Sequence, residues 1–560
     1  MGADFDTIVI GSGAGGLTAA VALAQAGERV LVLEQHDVPG GWCHSFTLGG
    51  YRFSPGVHYI GQLGPGRPMR QIYEGLGVSG DLTFFELNPD GFDHVQVGPP
   101  ERAGGLRAGT RFSIPKGREA LAERLAKRFP GDAEGIRAYL RDVAALAREL
   151  DELQEIRSLG DALAIPLRYP HVRRLGLRRL DAVLRARVQS PVARAILAIQ
   201  GGDYGLPPEE APVAMHAAIQ AHYFDGGYYP RGGAFAIPRA FRRALKRTGG
   251  ELRVSTPVTA ILTERDGGRR RAVGVRVAGG EELRAQRVVS NADPWVTYHD
   301  LVGREHLPWR LRARLSRTRW SVSALSLFMA VDMDLRAAGL DSGNLWYTDT
   351  PDLGALYRSA RWDAAKPAGT FPSFFLTCTT LKDPTKLHRG HHTLEAFAFV
   401  DYAPFARWEG SRHGDRPASY EALKAGLKEK FFRTIERVLP GLRDHVVFAD
   451  LATPLTNEHY IRGHRGGIYG TEKRLSQIGP LGYGLRSPIR GLWLVGASTL
   501  AHGVMGATMS GLVAASMALR TPWRELLRAD GPPLEILQAE DPTDWPRGLR
   551  ERAARGGALA

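Results

Sequence analysis

Blocks of apolar residues, punctuated by glycine and proline, predict a mixed α/β protein. The first block, Thr7-Ile-Val-Ile10, reads as a strand; a glycine-rich turn, Gly11-Ser-Gly-Ala-Gly-Gly16, leads into a helix from Leu17 to Ala26. A second strand, Arg29 to Leu33, ends at Glu34. Between Arg118 and Gln200, Ile136, Leu140, Val143, Leu146, Leu150 and Leu153 recur at three- and four-residue steps, the period of an amphipathic helix. Pro130, Pro166, Pro170 and Pro191 should break this region into separate helices. From Thr256 the pattern changes to short strands: Val258 to Thr263, Ala272 to Val277 and Arg284 to Val289, a β-meander with Gly-rich turns. Ser321 to Val331, Phe371 to Thr379 and Thr393 to Val400 read as strands of a second sheet. Leu423, Leu427, Phe431 and Ile435 mark a helix ending at Pro440. Gly491-Leu-Trp-Leu-Val-Gly496 is a strand feeding a helix from Gly503 to Leu519, and the Pro- and Gly-rich tail beyond Arg528 should be loose.

The opening strand–turn–helix–strand is the order of a dinucleotide-binding βαβ unit. Gly11 permits the tight turn, Gly13 lets backbone approach a pyrophosphate, and Gly16 lets the helix lie close on the strand. The helix N-terminus then presents N–H groups and its dipole to the phosphates. Glu34 lies 23 residues after Gly11, where a carboxylate can hold ribose hydroxyls. A second glycine pair in Val38-Pro-Gly-Gly41, and the strand-to-helix junction at Gly496-Ala497 before Gly506-Ala-Thr-Met-Ser-Gly511, select FAD over NAD. The chain has one convincing GxGxxG; a separate electron donor or acceptor therefore serves the flavin, or a nicotinamide binds without a second Rossmann unit.

The 560 residues exceed one hydrophobic core, and 43% of them are hydrophobic, an ordinary globular share. Cys43 and Cys378 are the only cysteines, which excludes a Cys-only metal cluster and a disulfide framework and points to a reducing, cytoplasmic setting; no metal site is expected. No basic signal-peptide region and no clean run of 18 apolar residues is present, so neither export nor a transmembrane helix is expected. Net charge is +14, and Arg168 to Arg194 holds eight arginines against the single acid Asp181, interleaved with Val172, Leu175, Leu180, Val183 and Leu184. A basic amphipathic helix on an anionic membrane would read this way, and so would a solvated helix face packed on its own protein. No nucleic-acid motif accompanies the charge.

Over roughly residues 5 to 515 the chain resembles the phytoene desaturase and carotenoid isomerase flavoprotein superfamily, through GSGAGG, Glu34-Gln-His-Asp-Val-Pro-Gly-Gly41, VVSNADP and GLWLVGASTLAHGVMGATMSG. His44-Ser-Phe, Gly56-Val-His-Tyr-Ile-Gly61, Gly202-Asp-Tyr-Gly205, Met215-His216, His222-Tyr223, Tyr229-Pro-Arg-Gly-Gly233 and Pro454-Leu-Thr-Asn457 look closer to its retinol saturase branch. The resemblance implies FAD, an apolar isoprenoid polyene as substrate, and a discontinuous Rossmann-like FAD-binding domain with an inserted α+β substrate domain. The FAD unit is expected at 1–75, 225–300 and 441–527, the substrate and membrane-facing unit at 76–224 and 301–440, and the tail at 528–560. Gly11, Gly13, Gly16, Glu34, Gly40 and Gly41 should contact or shape the FAD site, with Val258 near the adenine and Gly496, Ala497, Met509 and Ser510 near the flavin. Many related amine oxidases carry Asp at the Ala497 position, whereas Ala is usual in the carotenoid branch.

The implied chemistry is saturation of a polyene double bond, with desaturation or cis–trans isomerisation of a longer carotenoid as the alternative. A polyene has no carbonyl to polarise, so an enzyme acid is needed. His58, Tyr59, His222, Tyr223 and His502 are the candidates, each of which could instead be a satisfied structural group. Tyr228, Tyr229, Phe371, Phe374 and Phe375 are candidates for the tunnel wall or the core. A third reading is a non-catalytic isoprenoid binder, the role of the similarly built Rab GDP-dissociation inhibitors.

Overall fold

The N-terminal strand–turn–helix–strand forms as its pattern predicts: β1 (Phe5–Ile10), α1 (Ala14–Gln25) and β2 (Val30–Leu33). The structure, a computed structural model, describes residues 3–99, 109–153 and 167–558. The expected break at Pro166 lies outside them. β1 pairs in parallel with β2 on one side and with Glu282–Ser290 on the other; β2 pairs in turn with Glu251–Arg253, and Ser290 with Leu494 of Leu492–Leu494. Five strands from three distant parts of the chain thus make one parallel sheet. Ile8–Ile10, Val30–Leu33, Val288–Val289 and Leu492–Leu494 are apolar runs because the sheet is covered on both faces there. The meander, Val258–Asp266, Arg269–Val277 and the first residues of Glu282–Ser290, extends it antiparallel.

α1 is rich in alanine because two helices close on it: Gly503–Leu519 and Ala236–Arg247. A Cβ on Gly511 would stand 2.1 Å from the Gly15 carbonyl oxygen, so α1 and the C-terminal helix cross backbone to backbone. This brings the last core segment of the chain against its first glycine turn.

A second sheet runs in the order Val446–Ala452, Ser323–Val331, His392–Val400, Ser373–Cys378, Asn344–Thr348, Asp93–Val97 and Thr110–Ile114. All neighbours are antiparallel except Asn344–Thr348 with Asp93–Val97. The helix Ala418–Ile435 buries Leu427, Phe431 and Ile435 against it. Val446–Ala452 corrects the domain division: this strand falls within the 441–527 segment expected for the FAD unit, yet it pairs with Ser323–Val331 of the other sheet.

The helix Ala133–Leu153 buries Ile136, Leu140, Val143 and Leu146 and packs on Val213–His222. Between them the arginine-rich stretch is three short pieces, Val172–Gly176, Leu180–Arg185 and Pro191–Ala198, rather than one amphipathic helix. Leu175, Leu180, Val183 and Leu184 lie in the protein's own core, while Arg174 and Arg187 pair with Asp142. The tail is also ordered: Glu535–Gln538 pairs with Thr83–Glu86, and Trp545 is buried against Phe85. Apolar residues spaced through the Pro-rich stretch anchor it where a loose tail was expected. Tyr228–Pro230 completes this third, three-stranded sheet, which places Tyr228 and Tyr229 in buried packing.

Candidate active site

One cavity of about 1050 Å³ begins at the glycine turn after β1 and continues between the second sheet and the helical layer. At its inner end Gly11 turns at φ +87°, and the N-cap residue of α1, Gly13, has no side chain to claim the helix's first N–H groups. The turn is held from below by Asn291, just past the strand Glu282–Ser290. Its backbone N–H donates to the Ile10 carbonyl at 2.8 Å, and its Oδ1 accepts from Gly16 N–H at 3.1 Å. A Cβ on Gly13 would fall 2.6 Å from Asn291 Nδ2, and one on Gly15 within 2.9 Å of the Gly496 nitrogen.

Glu34 is braced toward the turn. Its Oε2 accepts from the backbone N–H and hydroxyl of Ser12 at 2.9 and 2.6 Å, and its Oε1 from His36 N–H at 2.9 Å. Ser12 Oγ in turn accepts from Gly40 N–H, so the second glycine pair folds back onto the first. A carboxylate has about four acceptor sites and three are taken, so Glu34 keeps room for a ribose hydroxyl. Gly11, Gly13, Glu34, Gly40, Gly41 and Val258 all line the cavity. So do Gly496, Ala497 and Met509 from the C-terminal junction. Gly16 and Ser510 stand behind the wall. A Cβ on Gly16 would lie 2.2 Å from the Gly11 carbonyl oxygen, and Ser510 Oγ accepts from Gly496 N–H while donating to the Ala507 carbonyl. Ser510 thus shapes the junction from outside the lining.

The outer part of the cavity is made by side chains from many segments. His58, Tyr59, His222, Tyr223 and His502 all line it. The loop carrying His58 and Tyr59 can approach His222 because residue 61 is glycine: a Cβ there would meet the His222 carbonyl oxygen at 2.1 Å. Tyr59 and Tyr223 stack with ring centres 4.3 Å apart, and His58 lies against Phe375 and Phe397. Phe375 lines the cavity, whereas Phe371 and Phe374 belong to the core beneath the second sheet. Leu177, Leu481 and Leu500 line the cavity and are 78%, 60% and 45% exposed, so they form an apolar rim.

The glycine cradle, with Cβ positions barred by Asn291 and Gly496 and an acid in register, fits a flavin dinucleotide. A model of the flavin-containing amine oxidoreductases matches residues 14–388. This chain belongs to that family. It is an FAD-dependent oxidoreductase. It is 33% identical over 542 residues to the all-trans-retinol 13,14-reductase of Danio rerio, covering 92% of this chain and 86% of that protein. It is 27% identical over 528 residues to prolycopene isomerase 1 of an Oncidium hybrid cultivar, covering 91% and 83% respectively. In fold it is similar to an oxidoreductase from Methanosarcina mazei, with TM-score 0.59 and 19% identity over 90% of this chain and 99% of that one.

The electrostatics of this flavoenzyme revise the sequence-based choice of acid. Burial pushes His222 down to about 4, and its Nε2 accepts from Gly61 N–H at 2.8 Å. Burial, with Lys473 nearby, pushes His502 to about 3; its ring nitrogens make no well-formed hydrogen bond, and a backbone contact with Asp203 offsets only part of the shift. Both rings are neutral at pH 7 and have no imidazolium proton to give. Burial also raises Tyr59 and Tyr223 well above 10, which makes them poor acids. His58 Nδ1 approaches Glu395 Oε2 at 3.2 Å, without the alignment of a hydrogen bond. Several side chains here escaped selection from the sequence. Asn291 sat unremarked in VVSNADP, and Asp203 in the Gly202-Asp-Tyr-Gly205 block. Lys473, whose Nζ donates to the Ala497 carbonyl at 2.5 Å and which burial lowers to about 7, lay in no motif.

Proposed function

We propose that this flavoenzyme reduces a carbon–carbon double bond of an apolar isoprenoid polyene. The observation that carries this reading is the single cavity running from the FAD cradle, past stacked aromatic rings, to a rim of leucines. Retinol and prolycopene, the compounds in the names of the two relatives, are isoprenoid polyenes. Gly11, Gly13, Glu34, Gly40 and Gly41 would hold the dinucleotide, Val258 would flank the adenine, and Gly496, Ala497 and Met509 would border the flavin. Bound FAD supplies two-electron hydride chemistry. The chain's residues exclude water, align the alkene and hold a proton near it. The Tyr59–Tyr223 stack gives a flat wall suited to a conjugated chain.

The test is product mass after anaerobic incubation of the FAD-loaded protein with all-trans-retinol or phytoene, under reducing and oxidising conditions. Gain of two hydrogens from retinol is expected. Loss of two would make the enzyme a desaturase, and an unchanged mass with shifted retention an isomerase. Protein that cannot be loaded with FAD would leave a binding role.

The leucine rim also supports docking on an anionic membrane, where such a substrate dissolves. Leu167 is 85% exposed, and Arg173, Arg178, Arg179 and Arg185 are exposed beside it in sequence. The apolar contact is a few leucines at a mouth rather than the face of a long helix. Among the described residues no helix is long and apolar enough to cross a membrane. Flotation with anionic vesicles that weakens with salt is the expected behaviour, and flotation indifferent to both lipid charge and salt would end this part of the reading.

A further inference from the structure

At the cavity wall the Tyr59 hydroxyl lies between two carboxyl groups, 3.1 Å from Asp93 Oδ2 and 3.2 Å from Asp203 Oδ2. A phenol has one proton and can donate to only one of them. The other must bring its own proton or leave two charges facing across one oxygen. The surroundings decide which. Asp93 is fully buried behind Tyr59 and receives Asn344 Nδ2–H at 2.9 Å and Gln200 Nε2–H at 3.4 Å. Lys382, whose Nζ bonds Asn344 Oδ1 and the His58 carbonyl, adds positive charge on the same side. Among the described residues the Asp203 carboxyl has one hydrogen-bond partner, Tyr59, and what surface it shows lines the cavity. Burial and the Asp93 charge both raise Asp203 well above the ordinary carboxyl range, while Asp93, with its donors, rises only to about 6. The charged member of the pair is therefore Asp93, and the neutral carboxylic acid is Asp203.

We propose that Asp203 is the catalytic acid of this flavoenzyme, held protonated beside the substrate by Tyr59 and Asp93. This rests on the polyene reading. The Asp203 O–H bond breaks and the alkene π pair forms a C–H bond at one carbon. The neighbouring carbon, a cation delocalised along the polyene, would take the hydride that bound FAD can supply, with an external two-electron reductant as the source of the electrons. The Tyr59 hydroxyl turns its proton to the new Asp203 carboxylate, which is reprotonated from water when the product leaves. Tyr59 and Asp93 are positioning residues in this scheme.

The experiment compares wild type, Asp203→Asn, Asp203→Glu and Tyr59→Phe, all FAD-loaded, with all-trans-retinol and dithionite in D2O. Infrared spectra at pH 7 read the carbonyl stretch of a protonated carboxyl. Wild type should add two deuteriums across one double bond, because dithionite supplies only electrons and both the Asp203 proton and the cofactor's transferable hydrogen come from solvent. D203N should bind FAD normally, lose the infrared band and lose roughly 10²- to 10⁴-fold in turnover. D203E should recover part of that loss, and Y59F should shift the band. D203N turnover within about threefold of wild type overturns the proposal, as does a band that D203N leaves intact. A wild type inert toward retinol faults the polyene reading instead; the infrared arm then decides the acid, and absence of the band overturns it.

Discussion

The two ends of the cavity are built on opposite plans. The cradle end is backbone: glycines, helix N–H groups and one acid, drawn from three short segments that the parallel sheet lays side by side. The outer end is side chain: Tyr59, Asp203, His222, Tyr223, Phe375 and His502 come from loops, helices and a strand spread over some four-fifths of the chain, and the contacts that assemble them join residues distant in sequence. Recognition by backbone needs small residues at fixed spacing, and that leaves a trace in sequence. Recognition by side chains needs only that distant residues meet. The first plan tolerates little substitution at the glycines, while the second concentrates its energetics in desolvation.

That contrast can be tested most strongly with acid. His222 and His502 are held neutral, with values lowered from 6.5 to about 4 and about 3. A lowered histidine value means the unfolded chain binds more protons between 6.5 and the folded value, so stability rises with pH across that window and is lost as pH falls through it. Each ring is expected to cost roughly 3 kcal/mol or more once fully titrated. The carboxyls of Asp93 and Asp203, raised by burial, act in the opposite sense over this range, so the histidine's share is read as a difference. Calorimetry between pH 7 and pH 5 should show the melting temperature of wild type losing more, or gaining less, than that of His222→Gln. Identical profiles would mean His222 is not desolvated as described.

At the cradle, Gly13→Val should abolish FAD retention. Its side chain would overlap Asn291 Nδ2, a cost on the order of 3 kcal/mol or about 100-fold in Kd, read by flavin absorbance after gel filtration. Asn291→Ala removes the acceptor of Gly16 N–H and should cost about 2 kcal/mol, giving weaker FAD binding by fluorescence titration. The outer rim should respond least. Leu177→Ser removes one partly inserted side chain, worth about 1 kcal/mol, and should lower flotation with anionic vesicles roughly fivefold while leaving FAD content unchanged. Equal sensitivity of FAD binding to rim and cradle substitutions would erase the distinction between the ends.

The legibility of the chain follows the same division. β1, α1 and β2, the meander, the helix Gly503–Leu519 and three strands of the second sheet were readable because each carries its period in contiguous residues. The place of Val446–Ala452 was not, because an edge strand with charged Asp450 carries no mark of which sheet it joins. The tail misled through its prolines, since its anchoring residues, Leu537 and Trp545, are too sparse to form a period. The Arg168 to Arg194 stretch was legible only as two alternatives, a membrane-facing helix or a face packed on its own protein, because charge pattern alone does not say what covers the apolar residues; Leu175, Leu180, Val183 and Leu184 have their partner in the protein's own helical core.

By itself the sequence determined the dinucleotide unit, its FAD-type second glycine pair and the discontinuous plan, since close backbone approach admits only glycine and the spacing of β1, α1 and Glu34 is local. Only the tertiary structure decided which groups can handle a proton. Whether a histidine or an aspartate carries its proton at neutral pH depends on what desolvates it and what charge faces it. Those neighbours, Asp93 to Asp203 and Gly61 to His222, lie more than a hundred residues away in sequence and meet only when the chain folds.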